Sequence, residues 1–189
     1  MFSIMAKLLT NKQIKFTAGR LELMGIRDSF TPMETYVQIL KALTNSNKEN
    51  LIYRSCKEAG FKWFESMSSI FRGIKQSEAI NWGVDLVSLS GWGDCYSVNL
   101  DYKNNFFIFE IKNSTAAKYH GKADYPVDHL FRGLVSGGVS YITKSNLECI
   151  EIKCLAKGDS LCRFLVGTED KLASVVEDKN LINSQLKVD

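Results

Sequence analysis

Glu151, Cys154, Ala156, Gly158, Asp159, Cys162 and Phe164 form one short window, E-x-x-C-x-A-x-G-D-x-x-C-x-F, that sets two thiols beside a carboxylate. Thiolates and carboxylates are donors to divalent metal ions, and two neighbouring thiols can also form a disulfide. Cys149 lies just upstream, and Asp128 and His129 follow Pro126 at the start of an apolar stretch. Zinc usually takes four ligands, so two cysteines need partners, and Asp128, His129, Glu151 and Cys149 are the candidates. The spacing Cys-x7-Cys is not that of a zinc knuckle. Spacing alone therefore leaves three readings of the pair: a metal half-site, a disulfide, or two small buried hydrophobes.

The elements that must position these groups are legible as a hairpin. Residues 147–154 alternate, with Ile150, Ile152 and Cys154 on one parity and Cys149, Glu151 and Lys153 on the other. Ala156-Lys157-Gly158-Asp159 has turn chemistry, and strand character resumes at Cys162-Arg163-Phe164-Leu165-Val166. Pairing Ile150 with Val166, Ile152 with Phe164 and Cys154 with Cys162 puts every apolar group and both thiols on one face. In a regular strand Glu151 and Cys149 then project to the other face, and a β-bulge would be needed to re-aim either.

This window, with Pro126-Val127-Asp128-His129-Leu130-Phe131-Arg132-Gly133-Leu134-Val135-Ser136-Gly137-Gly138 before it, resembles the 4-vinyl-reductase (4VR) domain family. Its members are small-molecule-binding modules found alone in archaea and fused to bacterial regulators. The resemblance implies a ligand-binding fold with an apolar pocket, shared with nitric-oxide signalling proteins and TRAPP-like Golgi-transport subunits. In the related regulators of aromatic degradation it implies a cysteine-rich zinc site beside that pocket. The first cysteine of that site falls at Asp128 here, while Cys154 and Cys162 keep the pattern.

Composition bounds the rest. At 189 residues the chain can bury roughly 70% of its unfolded surface, enough for one core. A net charge of +3 without a basic run gives no footprint for direct nucleic-acid binding. No apolar run reaches the roughly 18 residues of a membrane span. Five cysteines, an odd number, fit a reducing cytoplasm better than a secreted disulfide framework.

Along the chain, residues 1–9 read as a short amphipathic helix and residues 13–27 as a hairpin turning at Ala18-Gly19, the edge of a sheet. Thr31-Pro32-Met33-Glu34 predicts a helix with Thr31 as N-cap. Helices follow over 48–74, with Gly60 as a point where it could break, and from Ser77 to the Ser90-Gly91-Trp92-Gly93 turn. Strands over 95–102 and 106–112 form a second hairpin. Residues 114–124 read as a polar loop with His120 exposed, and 127–142 as a helix flattened by Gly133, Gly137 and Gly138. The sum is an α+β chain: an antiparallel sheet of hairpins packed on a helical block. Its segments are a helix and hairpin over 1–28, a 4VR-like binding domain over 29–168 and a polar tail over 169–189, one structural domain overall.

The expected function is that of a stand-alone sensor holding an apolar or aromatic ligand against Trp63, Trp82, Phe107 or Phe131, with zinc beside the pocket and a homodimer or protein partner as readout. A TRAPP-like assembly subunit is the alternative. A vinyl reductase component ranks last, since no nucleotide-cofactor motif accompanies the window and a reductase needs a reductant.

Overall fold

The computed structural model describes residue 10 and residues 14–46, 48–69 and 71–186. The helix expected over 1–9 lies outside the described residues. A three-stranded antiparallel sheet, β1 (Ile14–Thr17), β2 (Arg20–Leu23) and β3 (Ile26–Asp28), opens the chain. It extends the expected hairpin by one strand, and it stands apart from the main sheet instead of forming its edge.

Three helices follow: α1 (Met33–Thr44), α2 (Asn50–Ser66) and α3 (Gln76–Leu89). Glu34 in the first turn of α1 and Lys41 in its last complement the helix dipole, while Tyr36, Val37 and Leu40 form its buried stripe. Pro32 occupies the N-cap position and no side chain caps the helix, so the expected Thr31 cap is not made. The helix α2 ends at Ser66, short of the expected Ile74, and runs unbroken through Gly60.

The main sheet comprises β4 (Asp94–Asp101), β5 (Phe106–Lys112), β6 (Glu148–Lys153) and β7 (Cys162–Gly167), in the antiparallel order β4-β5-β7-β6. Between β5 and β6 come α4 (Thr115–His120) and α5 (His129–Thr143). The polar stretch read as a loop is thus partly helical: the Ser114 hydroxyl accepts the Ala117 N–H, and His120 is buried beside Tyr125. The tail also folds, into α6 (Glu169–Val175) and α7 (Lys179–Leu186), burying Leu172, Ile182 and Leu186 against β6 and β7.

Close approach of α2 and α5 explains the glycines. A Cβ on Gly137 would lie 2.0 Å from the Lys57 carbonyl oxygen, and one on Gly133 2.5 Å from that of Tyr53. Larger residues would push the helices apart and open the core.

β6 is an edge strand, and its outward backbone groups are taken by side chains. Ser140 Oγ accepts from Leu147 N–H at 3.0 Å and Ser136 Oγ donates to Leu147 C=O at 2.7 Å. Tyr53 OH accepts from Cys149 N–H at 2.9 Å, and Arg132 donates Nε and Nη2 to Cys149 C=O at 3.0 and 2.9 Å. Gln185 bonds both backbone groups of Glu151. Arg132, Ser136 and Ser140 recur every fourth residue on α5, so one polar stripe of that helix replaces the missing strand.

Candidate functional site

The turn between β6 and β7 is built by the residues singled out from sequence. Gly158 takes φ +100°, the left-handed region that glycine enters freely, and closes a short 3-10 turn over Leu155–Lys157. Asp159 then folds back: its Oδ2 accepts the Cys154 N–H at 2.8 Å and its own N–H reaches the Cys154 carbonyl at 3.2 Å. The Leu155 N–H points at Cys162 Sγ, 3.3 Å away. Both thiols are held by backbone, and all five cysteines are free.

The register differs from the expectation. Ile150 pairs with Leu165 and Glu151 with Phe164, and an irregularity between Glu151 and Lys153 then sets Lys153 opposite Arg163. The single-face argument fails because α6 and α7 cover the outer side, so that Phe164, Leu165 and Val166 are all buried and the pattern no longer distinguishes registers. The bulge has a chemical result. It brings the Glu151 carboxylate to the same side as Cys154 and Cys162.

There they meet Asp128, the residue before α5. One donor atom from each of Asp128, Glu151, Cys154 and Cys162 lies within 4.8 Å of the others, and all four residues are buried. Ser114 Oγ donates to the Asp128 carboxylate at 3.0 and 3.2 Å, and Glu151 Oε2 accepts the Asp128 N–H at 3.1 Å. Glu151 Oε1 is buried with no hydrogen-bond partner. Burial raises the Asp128 carboxyl above its usual range, and burial together with the Asp128 charge raises Glu151 well above it. The Cys162 S–H donating to Cys154 draws Cys154 down to about 6 and pushes Cys162 up. Four acids confined together hold protons that a cation would displace.

His129 and Cys149 stay outside this cluster. His129 Nδ1 lies 3.0 Å from Arg132 Nη1 instead, and burial, with the Arg132 charge, holds its imidazole down to about 3. Cys149 is enclosed in the core, where burial pushes its thiol up.

An apolar cavity of about 780 Å³ opens between the helices, β4, β5 and the N-terminal sheet. Trp63 and Phe131 line it. Trp82 and Phe107 do not: Trp82 turns to Phe71 on the other side of α3, and Phe107 packs on Tyr102 further along β5, where Phe109 takes the cavity position. Tyr36, Trp92, Val135 and Gly138 are wall residues that the sequence reading did not select. Tyr36 connects the two sites. Its hydroxyl donates to the Val127 carbonyl at 3.0 Å and accepts the Leu130 N–H at 3.2 Å, so it grips the chain on both sides of Asp128.

Residues 107–168, from β5 through β7, match the vinyl-4-reductase (4VR) domain. A stretch of 44 residues is 41% identical to an uncharacterized protein of Methanocaldococcus jannaschii; it covers 23% of this chain and 25% of that relative's length. The phenol-responsive sensory domain of the transcription activator PoxR, solved with phenol, superposes with a TM-score of 0.78 at 18% identity, covering 98% of each chain. A vinyl-4-reductase family protein from M. jannaschii gives 0.51 at 16% identity, over 74% of this chain and 82% of that one. A trafficking protein particle complex subunit 3 from Naegleria fowleri, bound covalently to palmitic acid, gives 0.48 at 12% identity, over 71% and 93%. The chain thus carries a vinyl-4-reductase domain over residues 107–168 within an α+β fold of antiparallel sheets packed against helices. At these identities the structural likenesses define a fold.

Proposed function

We propose that this chain is a small-molecule sensor domain: the cavity takes a neutral apolar or aromatic ligand, and the four-donor cluster pins the wall beside it. The observation that carries the reading is the wall they share. Helix α5 presents Phe131, Leu134, Val135, Gly138 and Val139 to the cavity and starts at Asp128, a member of the cluster. The cavity holds few polar groups, and desolvation of apolar surface, at about 25 cal/mol per Å², is the available driving force. The PoxR likeness supports the same class of function, since that domain responds to phenol.

The donor set suits zinc, which accepts thiolate and carboxylate together, and the unpartnered Glu151 oxygen is the kind of group a cation satisfies. Cys154, Cys162, Asp128 and Glu151 would hold it. Bound there, the ion would supply a fixed crosslink between the start of α5 and the β6–β7 turn. The exposed Phe16, Phe30 and Ile39 near the cavity mouth would be covered in a homodimer.

Native mass spectrometry of the gently purified chain, set against its denatured mass, tests all three parts. The expected species is a dimer with about one zinc per chain and added organic mass, the zinc being lost in Cys154→Ala or Cys162→Ala. A chain with no organic mass that also fails to bind phenol or larger hydrophobes by tryptophan fluorescence sinks the sensor reading. No zinc in the wild type, even after reconstitution, sinks the metal reading.

A further inference from the structure

Glu151 sits on an edge strand immediately before the bulge, and one side chain from another element holds it there. Gln185 Oε1 accepts the Glu151 N–H at 2.8 Å, and Gln185 Nε2 donates to the Glu151 carbonyl at 2.9 Å. Gln185 is only 1% exposed. A side-chain amide bonded to both backbone groups of one residue stands in for a neighbouring strand at that point. Arg132 adds a second attachment, donating Nη2 to the Gln185 carbonyl at 2.8 Å while it bonds Cys149.

The placement has a chemical consequence. In a regular strand Glu151 and Cys154 would point to opposite faces, and the bulge brings them together. Without Gln185 the Glu151 N–H and carbonyl lose their partners, and the local backbone is free to leave the bulged form. We propose that Gln185 is a positioning residue for the four-donor cluster, so that docking of α7 and occupancy of the cluster by a divalent cation are thermodynamically coupled. This rests on the reading of the cluster as a metal site. By linkage the coupling runs both ways: cation binding tightens α7 onto β6, and release of α7 weakens the cation. Residues 179–186 are then an output segment whose order reports the state of the site.

Gln185→Met tests this, since it keeps the side-chain volume and removes both hydrogen bonds. In the full chain, zinc affinity by chelator competition falls by roughly tenfold or more, the usual cost of losing a group that orients a metal ligand. The ligand-field spectrum of the cobalt(II)-loaded protein changes as the Glu151 carboxylate shifts, a signature that loss of packing elsewhere does not produce. Hydrogen exchange of the wild type, with and without zinc, is the companion measurement, and it decides the matter if the variant misfolds. Zinc is expected to slow exchange in 148–153 and 179–186 while leaving 169–175 unchanged. Wild-type zinc affinity and an unaltered cobalt spectrum in Gln185→Met, or exchange in 179–186 that ignores zinc, overturns the coupling while the metal reading stands. A wild type that binds neither zinc nor cobalt removes the metal reading and the coupling with it.

Discussion

Glu151 concentrates the site's conflict in one side chain: a wholly buried carboxyl beside Asp128, with Oε1 unpartnered. Its proton affinity is raised in the folded state, so its contribution to metal-free stability is full below the ordinary carboxylate value of 4.5 and is lost as pH rises through the elevated folded value. Glu151→Gln removes that penalty and still accepts the Asp128 N–H. The metal-free variant is therefore expected to be more stable than wild type at pH 7, by about 1 kcal/mol or more, with the difference vanishing near pH 4. Thermal unfolding of both chelated proteins at the two pH values checks it, and equal stability at pH 7 contradicts the buried-charge account. At this scale the identities of Cys154, Cys162, Asp128 and Glu151 were legible as donors, because thiol and carboxylate chemistry is local. Their convergence, with His129 and Cys149 excluded, was not, since it depends on a one-residue bulge.

Helix α5 is the element on which the molecule turns, with three faces in use: Gly133 and Gly137 against α2, the Arg132, Ser136 and Ser140 stripe along β6, and an apolar face in the cavity wall. Gly137→Ala is expected to cost about 2–3 kcal/mol in urea unfolding, because its Cβ meets backbone that cannot swing aside as a side chain can. A cost below about 1 kcal/mol would mean that the helices separate easily. The glycine run signalled close backbone approach, and the four-residue polar spacing was also present to be read. What that polar stripe faces could not be read, because the edge position of β6 is a property of strand order. The tail misled for a related reason. Its few apolar residues suffice for α6 and α7 only because β6 and β7 offer them a surface.

Across the whole molecule, cavity and cluster share the start of α5, and Tyr36 bonds both sides of Asp128 from the cavity wall. Metal and ligand are accordingly expected to reinforce each other, with zinc raising ligand affinity by at least about fivefold, the lower end of typical coupling. Titration of a fluorescent hydrophobe into zinc-loaded and chelated protein measures this, and equal affinities would show that α5 does not couple the sites. Val135→Trp, which fills cavity space, should abolish that binding and leave zinc binding intact. The alternation of the strands, the turn chemistry of Gly158 and Asp159, the helical stripes and the donor types were determined by the sequence alone, because each rests on neighbours within a few residues. Strand order, the bulge that turns Glu151, the closing of the tail over the sheet and the choice of wall residues were decided only by tertiary structure, because each depends on which distant surface remains to be covered.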